Sequence, residues 1–124
     1  MGMFTLCVTD SFAAAHRLIG YEGKCEELHG HNFVVEAFFS GEKLGDNGLL
    51  VDFKILKTYL KDVLDNLDHK YLNEIPFFIE RASSAEYIAL YIFGEMEKQI
   101  KEKEAVLKEI RVWESDKAYA AYER

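Results

Sequence analysis

The spacing of apolar residues changes twice along this chain of 124 residues. Near the N-terminus apolar and polar residues alternate, with Phe4, Leu6 and Val8 on one face of a predicted strand. Apolar residues then recur at helical spacing in two segments, and alternation returns from Val106 to Trp113. This order predicts two strands, two helices and two strands, which is an α+β fold with an antiparallel sheet that the helices cover on one face.

Sequence signals indicate where these elements begin and end. The β-branched and aromatic stretch 31–42 predicts the second strand, and the loop after it is rich in Gly, Asp and Asn. Asp52 is a candidate N-cap for a first helix over 53–67. The second helix is expected from about Ser84 to Lys103, where Ser84 begins a partial capping box. The last two strands should form a hairpin around the turn 115–116.

Length and composition limit the number of domains and the class of ligand. With 49% hydrophobic residues the chain can bury one sizeable core, so we expect a single domain over residues 1–124. The net charge of −7 argues against binding to nucleic acid or an anionic membrane, which requires clustered Lys and Arg. No export signal or membrane-spanning run is visible, so we expect a cytoplasmic protein with Cys7 and Cys25 as thiols.

Histidines are concentrated in and near the stretch 24–31, "KCEELHGH". Residues two apart on a strand project to the same face, so His29 and His31 can present both imidazoles to one metal ion while Gly30 leaves space between them. Taken alone, this pair fits a metal site and a chance occurrence equally well. His16, near the end of the preceding strand, supplies a third imidazole. Three histidines without an obvious fourth ligand are typical of a catalytic zinc site with an open position.

Two further groups could move protons near such a metal. Cys25 lies close to His29 and Lys24, where a thiol should have its pKa lowered and serve as a base or nucleophile. Alternatively, Cys25 completes a closed four-ligand zinc site or fills an apolar space. His69 follows Asp68 at a predicted helix end, where it is either a helix-terminal cap or a carboxylate-oriented imidazole that exchanges protons.

Six segments together carry a more specific pattern: "FAAAHRL", "CEELHGHNF", "VDFKILK", "LDHKYLN", "SSAEYIA" and "IRVWES". In order and spacing they resemble the 6-pyruvoyl-tetrahydropterin synthase / 6-carboxy-5,6,7,8-tetrahydropterin synthase family across nearly the whole chain. The resemblance implies the tunnelling fold, in which two helices are inserted between strands 2 and 3 of a four-stranded antiparallel sheet. It also implies a homohexamer built from two stacked trimers.

The resemblance assigns roles to individual residues. Its zinc ligands match three histidines: His16, His29 and His31. Its proton-transfer group matches a thiol, a carboxylate and an imidazole: Cys25, Asp68 and His69. Glu114 matches the carboxylate that anchors the pterin ring in the family. Independent chemistry fits this role, because a carboxylate accepts parallel hydrogen bonds from an amino group and the adjacent ring N–H.

The substrate-binding segment departs from the family pattern. Relatives often have Pro-Thr-x-Glu-Asn where this chain reads "SSAEY" at 83–87, so Ser84 still supplies a hydroxyl and Glu86 is retained, but a Tyr replaces the Asn. These changes affect the expected pterin pocket rather than the zinc site. Lys24 and Arg17 are candidates for the local positive charge that a triphosphate requires in an acidic protein.

The resemblance implies zinc-dependent conversion of 7,8-dihydroneopterin triphosphate to 6-carboxy-5,6,7,8-tetrahydropterin, a queuosine precursor, with release of triphosphate and acetaldehyde. Alternatives are formation of 6-pyruvoyl-tetrahydropterin and cleavage to 6-hydroxymethyl-7,8-dihydropterin, a folate-linked reaction. Glu26, beside Cys25, resembles the glutamate of that last branch, and is otherwise a solvated loop residue. The rival from another class is a non-catalytic zinc- or pterin-binding module with Cys25 as a fourth ligand.

Overall fold

The computed structural model describes residues 2–19 and 29–124, apart from the side chain of His29. In this part of the chain the elements follow the predicted order of two strands, helices and two strands. They are β1 (Phe4–His16), β2 (His29–Gly41), α1 (Phe53–Leu64), a 3₁₀ turn (Leu72–Glu74), α2 (Pro76–Ile79), α3 (Ala85–Gln99), β3 (Val106–Ser115) and β4 (Ala118–Glu123). The short helix α2 was not predicted; it begins with Pro76, whose fixed φ suits the first helical position.

The four strands form one antiparallel sheet in the order β1-β2-β3-β4, with the helices between β2 and β3, as the sequence predicted. The β1–β2 ladder ends at the pair His16 and His29, while Val34 of β2 pairs with Trp113 of β3. The end of β1, the start of β2 and the end of β3 therefore meet at one end of the sheet. A register shift after Phe38 lies towards the opposite end.

One face of the sheet is covered by α1 and α3, and the alternation of the strands decides which residues face them. The strands contribute Phe12, Phe33 and Val112 to the core, and the helices contribute residues such as Leu60 and Ile92, all 3% exposed or less. Burial of this apolar surface is the main force that fixes the register, since a slip by one residue would turn the apolar set towards water.

Both predicted helix caps are present, but both helices end earlier than predicted. The Asp52 side chain accepts a hydrogen bond from the Lys54 amide at 2.9 Å, and Ser84 accepts one from the Tyr87 amide at 3.2 Å. α1 ends at Leu64 rather than Leu67. The amides of Asn66 and Leu67 bond the carbonyls three residues back, at Val63 and Leu64, as in a turn, instead of those four residues back.

The earlier end of α3 has a tertiary cause. The helix stops at Gln99 rather than Lys103. Beyond it the Tyr59 hydroxyl donates to Glu102 at 2.7 Å and accepts from the Lys101 amide at 3.4 Å, so contacts with α1 draw this backbone away from the helical path. None of the helices in the described ranges is long and apolar enough to span a membrane.

Candidate metal centre and active site

Three potential metal ligands converge where β1, β2 and β3 meet. His16 is the last residue of β1, His31 lies near the start of β2, and Glu114 lies near the end of β3. One ligand atom from each lies within 4.8 Å of the other two. The imidazole rings of His16 and His31 are 5.2 Å apart between centroids and inclined by 70°. The alternation that buries Phe33 and Val112 also places these side chains at the helix-covered face.

A backbone carbonyl fixes the orientation and tautomer of His16. The ring is almost fully buried, and its Nδ1 lies 2.8 Å from the carbonyl oxygen of Ser83. Because a carbonyl oxygen can only accept, Nδ1 carries the proton and Nε2 keeps its lone pair. Nε2 is the atom nearer Glu114, 3.7 Å from Oε1. Metal-binding histidines commonly donate their other ring N–H in this way, which orients the ligand nitrogen.

The donor set fits a zinc ion. Imidazole nitrogen and carboxylate oxygen are both zinc ligands, and ligand atoms about 2.0–2.1 Å from a tetrahedral zinc stand roughly 3.3 Å apart. The 3.7 Å between His16 and Glu114 is close to that separation. Glu114 and His31 are only partly buried, so the cluster is enclosed on the side of His16 and accessible on the other. Such a site can bind a metal and still admit a substrate atom.

Phe33 forms an apolar floor under both imidazoles. Its ring centroid lies 5.3 Å from that of His16 and 5.4 Å from that of His31, and the ring stacks on Phe12 at 5.0 Å. Phe33 has no exposed surface. Water is thereby excluded from beneath the cluster, which strengthens electrostatic interactions at the ligand atoms. This contact was not predicted, although Phe33 follows His31 at the two-residue spacing of one strand face.

Asp68 and His69 lie along the outer edge of β1. The Ala13 amide donates to Asp68 Oδ1 at 2.9 Å, and Asp68 Oδ2 lies 3.0 Å from His69 Nδ1. The hydrogen bond from Ala13 is the main cause that lowers the pKa of Asp68, and His69 adds to the effect. Asp68 therefore stays ionised near neutral pH and orients the imidazole. This is the geometry of a carboxylate-oriented imidazole; its proton-transfer role remains a prediction.

The backbone of His69 is held in the left-handed region, with φ of 59°. Its amide donates to the Ala13 carbonyl at 2.6 Å, and the Ala15 amide donates to the Lys70 carbonyl at 3.0 Å. A parallel bridge joins Ala15 to Tyr71. These bonds stabilise a conformation that non-glycine residues rarely adopt, which is common where a side chain must be presented for function.

A cleft of about 480 Å³ lies between His31, one of the three candidate metal ligands, and this edge loop. It is lined by His31 and Asn32 from β2 and by His69, Lys70 and Tyr71 from the loop. The cleft thus joins a candidate metal ligand to a candidate proton carrier. Lys70 also adds a cation that was not predicted.

The remaining predicted residues are placed less directly. Ser84 caps α3 and Glu86 is exposed on its first turn; neither is among the residues that line the cleft. Ser84 nevertheless follows Ser83, whose carbonyl holds His16. Arg17 follows His16 and has an exposed side chain. The β1–β2 ladder pairs the backbone of His29 with that of His16. Three candidates lie outside the described residues: Lys24, Cys25 and Glu26.

Comparison with known proteins assigns the class. A sequence model described as 6-pyruvoyl tetrahydropterin synthase matches residues 5–124. The chain therefore belongs to this family, whose members are enzymes that act on pterins.

Relatives and solved structures agree with this assignment. The chain is 39% identical over 117 residues to the putative 6-carboxy-5,6,7,8-tetrahydropterin synthase of Archaeoglobus fulgidus, covering 94% of this chain and 93% of the relative. It is 40% identical over 92 residues to 6-carboxy-5,6,7,8-tetrahydropterin synthase of Synechocystis, covering 70% of each. The structure of Caenorhabditis elegans 6-pyruvoyl tetrahydropterin synthase superposes with a TM-score of 0.90 at 31% identity, covering 100% of this chain and 97% of that one.

A more distant structural neighbour has a glutamate as a catalytic residue. The Plasmodium vivax 6-pyruvoyl tetrahydropterin synthase superposes with a TM-score of 0.78 at 26% identity, covering 100% of this chain and 99% of that one. Two further structures of that protein carry an alanine or a cysteine in place of a glutamate described as a catalytic residue.

The backbone conformation of His69 gives a prediction that separates strain from chemistry. Both His69→Ala and His69→Gly should lose most turnover, by roughly 10²–10⁴-fold, if the imidazole transfers protons. The Gly variant should unfold with a free energy about 1 kcal/mol higher than the Ala variant, because Gly adopts a positive φ without steric cost. Denaturant unfolding and steady-state turnover measure the two effects.

The matched control is the exposed helical position Thr58, where φ is ordinary. There the order should reverse, with Thr58→Gly less stable than Thr58→Ala by about 1 kcal/mol. Equal stability of the two His69 variants would show that the backbone at this position is not strained, and full turnover in both would remove His69 from the mechanism.

Proposed function

We propose that this protein is a zinc-dependent lyase that converts 7,8-dihydroneopterin triphosphate and water to 6-carboxy-5,6,7,8-tetrahydropterin, triphosphate and acetaldehyde. The atoms balance with one water molecule, and the reduction of the pterin ring is matched by oxidation of its side chain, so no external oxidant or reductant is needed. The observation that carries the proposal is the convergence of His16, His31 and Glu114 at one end of the sheet. The names of the relatives from Archaeoglobus fulgidus and Synechocystis support this product.

Zinc would be held by His16, His31 and a third ligand, for which His29 and Glu114 are the candidates. When bound, zinc supplies Lewis-acid chemistry, polarising side-chain oxygens of the substrate and acidifying the adjacent C–H bonds. We assign the third position to His29, because three neutral imidazoles leave the positive charge of the ion undiminished. Glu114, with its side chain 37% exposed, is then available to a ligand.

Glu114 would anchor the pterin ring beside the metal. Its two carboxylate oxygens suit the amino group and ring N–H of a pterin, which donate in parallel. Its position 3.7 Å from His16 Nε2 would hold the ring next to the metal ligands, with the reacting side chain directed towards the cleft. Ser84 and Glu86, at the start of α3, are the further candidates for pterin contacts.

Proton transfer is assigned to Cys25 and His69. Asp68 holds His69 Nδ1, so Nε2 is the atom that exchanges protons at the cleft. Cys25 supplies a thiolate from the segment between β1 and β2. Lys24 and Arg17 are the predicted cations for the triphosphate, and Lys70 in the cleft lining adds a third.

The assembly and context follow the family expectation. The chain would act as a single domain in a homohexamer of two stacked trimers, in the cytoplasm and in queuosine biosynthesis. The edges of the sheet support an assembly. β4 is an outer strand, and the bonds that the loop at 68–71 makes to the outer edge of β1 lie near the end of that strand, at Ala13 and Ala15. Open strand edges pair readily with a second chain.

A second product has a specific observation in its favour. The Plasmodium vivax protein has a glutamate described as a catalytic residue, and this chain carries Glu26 immediately after Cys25. A carboxylate and a thiolate near one metal differ in basicity and could take protons from different positions of the side chain. Cleavage to 6-hydroxymethyl-7,8-dihydropterin through Glu26 is therefore the alternative that we retain beside the carboxytetrahydropterin reaction.

The division of labour between His31 and Glu114 is testable by metal content. His31→Ala should lose zinc and turnover together. Glu114→Gln should keep zinc while KM rises roughly 10- to 100-fold, because the amide offers only one acceptor oxygen to the two pterin donors. Elemental analysis and steady-state kinetics measure these effects, with exposed Glu80→Gln as a control that should change neither. Loss of zinc in Glu114→Gln would make Glu114 a ligand, and unchanged kinetics would remove it from the pocket.

Product identification tests the reaction itself. Incubation of the purified protein with 7,8-dihydroneopterin triphosphate, followed by mass spectrometry, should give 6-carboxy-5,6,7,8-tetrahydropterin as the main product. Cys25→Ala should suppress that product more than 6-hydroxymethyl-7,8-dihydropterin, and Glu26→Ala should do the reverse. A product ratio that does not respond to Glu26→Ala would leave the single activity, and no turnover of this substrate by the zinc-loaded protein would refute the proposed function.

A further inference from the structure

Asn73 holds the backbone immediately after His16. It lies in the 3₁₀ turn Leu72–Glu74, which the fully buried Leu72 anchors in the core. The Arg17 amide donates to Asn73 Oδ1 at 2.9 Å, and Asn73 Nδ2 donates to the Arg17 carbonyl at 2.7 Å. Reversing the amide would place donor against donor and acceptor against acceptor, so these two bonds define the orientation of its oxygen and nitrogen.

Ser83 connects this amide to the ring of His16. Its hydroxyl lies 2.8 Å from Asn73 Oδ1 and 3.2 Å from the Arg17 carbonyl oxygen. Since a hydroxyl has one proton, the shorter contact is its donation to Asn73. The backbone carbonyl of the same residue accepts the His16 Nδ1 proton at 2.8 Å. Ser83 has no exposed surface, so water does not compete for these bonds.

The hydrogen bonds of Asn73 and Ser83 lie where the β1–β2 ladder stops, and they extend its backbone order by one residue. The β1–β2 ladder ends at His16, and Arg17 is one residue beyond its last pair. There the amide of Asn73 bonds both the N–H and the C=O of Arg17, as a neighbouring strand would. The ring of His16 is thus held by Ser83, 67 positions later in the sequence, and the backbone of Arg17 is held by Asn73, 56 positions later.

We propose that Asn73 and Ser83 are positioning residues that hold His16 in its metal-binding orientation and thereby set the affinity of the site for zinc. Neither residue is a ligand; both act through His16. The proposal rests on the proposed function only in taking zinc as the metal. Loss of the outer hydrogen-bond partners of a metal-binding histidine typically costs roughly 10- to 100-fold in metal affinity or activity.

The test measures zinc dissociation constants by competition with a chromophoric chelator, and the absorption spectrum of the cobalt-substituted protein. Asn73→Ala should raise the zinc dissociation constant by roughly 10- to 100-fold and alter the cobalt spectrum, because His16 loses its fixed orientation. Ser83→Ala should give a smaller rise in the same direction, since its backbone carbonyl still accepts from His16. The matched control is Asn47→Ala, which removes a bond of the same kind, to the Leu49 amide at 3.0 Å in an exposed loop, and should change neither quantity.

A purely structural role would give a different result. It would lower the thermal midpoint of Asn73→Ala but leave the zinc dissociation constant of the folded protein within about twofold of wild type, and that outcome overturns the proposal. If Asn73→Ala does not fold, Ser83→Ala decides, and wild-type affinity with a wild-type cobalt spectrum overturns the proposal. A wild-type protein that binds no zinc would refute the proposed function itself, which separates the two failures.

Discussion

The hydrogen bond from His16 Nδ1 to the Ser83 carbonyl is the constraint on which the site depends. It joins the end of β1 to the residue before the N-cap of α3, and it lies in a region closed to water. A buried imidazole needs such a partner, because an unsatisfied polar group in the core is costly. Once Nδ1 is committed as a donor, Nε2 must be the ligand atom, and it is the one that approaches Glu114. Core packing and the proposed metal binding therefore depend on the same bond.

The site brings together two differently built halves. The candidate metal ligands lie on the helix-covered face of the sheet, where packing against Phe33 fixes the rings of His16 and His31. Asp68 and His69 belong to an edge loop that is bonded to β1 through backbone groups and through the Asp68 carboxylate, and the His69 side chain is 82% exposed. This difference fits the roles that we propose for the two halves, because a metal ligand benefits from rigidity, whereas a proton carrier must exchange with substrate and solvent. The cleft between His31 and His69 joins these two environments.

Features that depend on local sequence were predictable, and features that depend on distant contacts were not. Alternation and helical spacing predicted the four strands and the two long helices, α1 and α3, and the residue types at Asp52 and Ser84 predicted both caps. The family resemblance predicted the inserted helices and named Glu114, but its approach to His16 requires the register of three strands. Ser83 and Asn73 carry no local signal for holding His16, because their partners are distant in the chain. The positive φ of His69 was equally invisible, since it is imposed by bonds to Ala13.

X-ray absorption at the zinc edge tests the central claim most directly, namely that His16 belongs to an open, catalytic metal site. Spectra of the zinc-loaded protein should show only nitrogen and oxygen scatterers, at about 2.0–2.1 Å. A sulfur scatterer at about 2.3 Å would place Cys25 on the metal. That result would contradict the account, because a closed site of one thiolate and three imidazoles leaves no position for substrate.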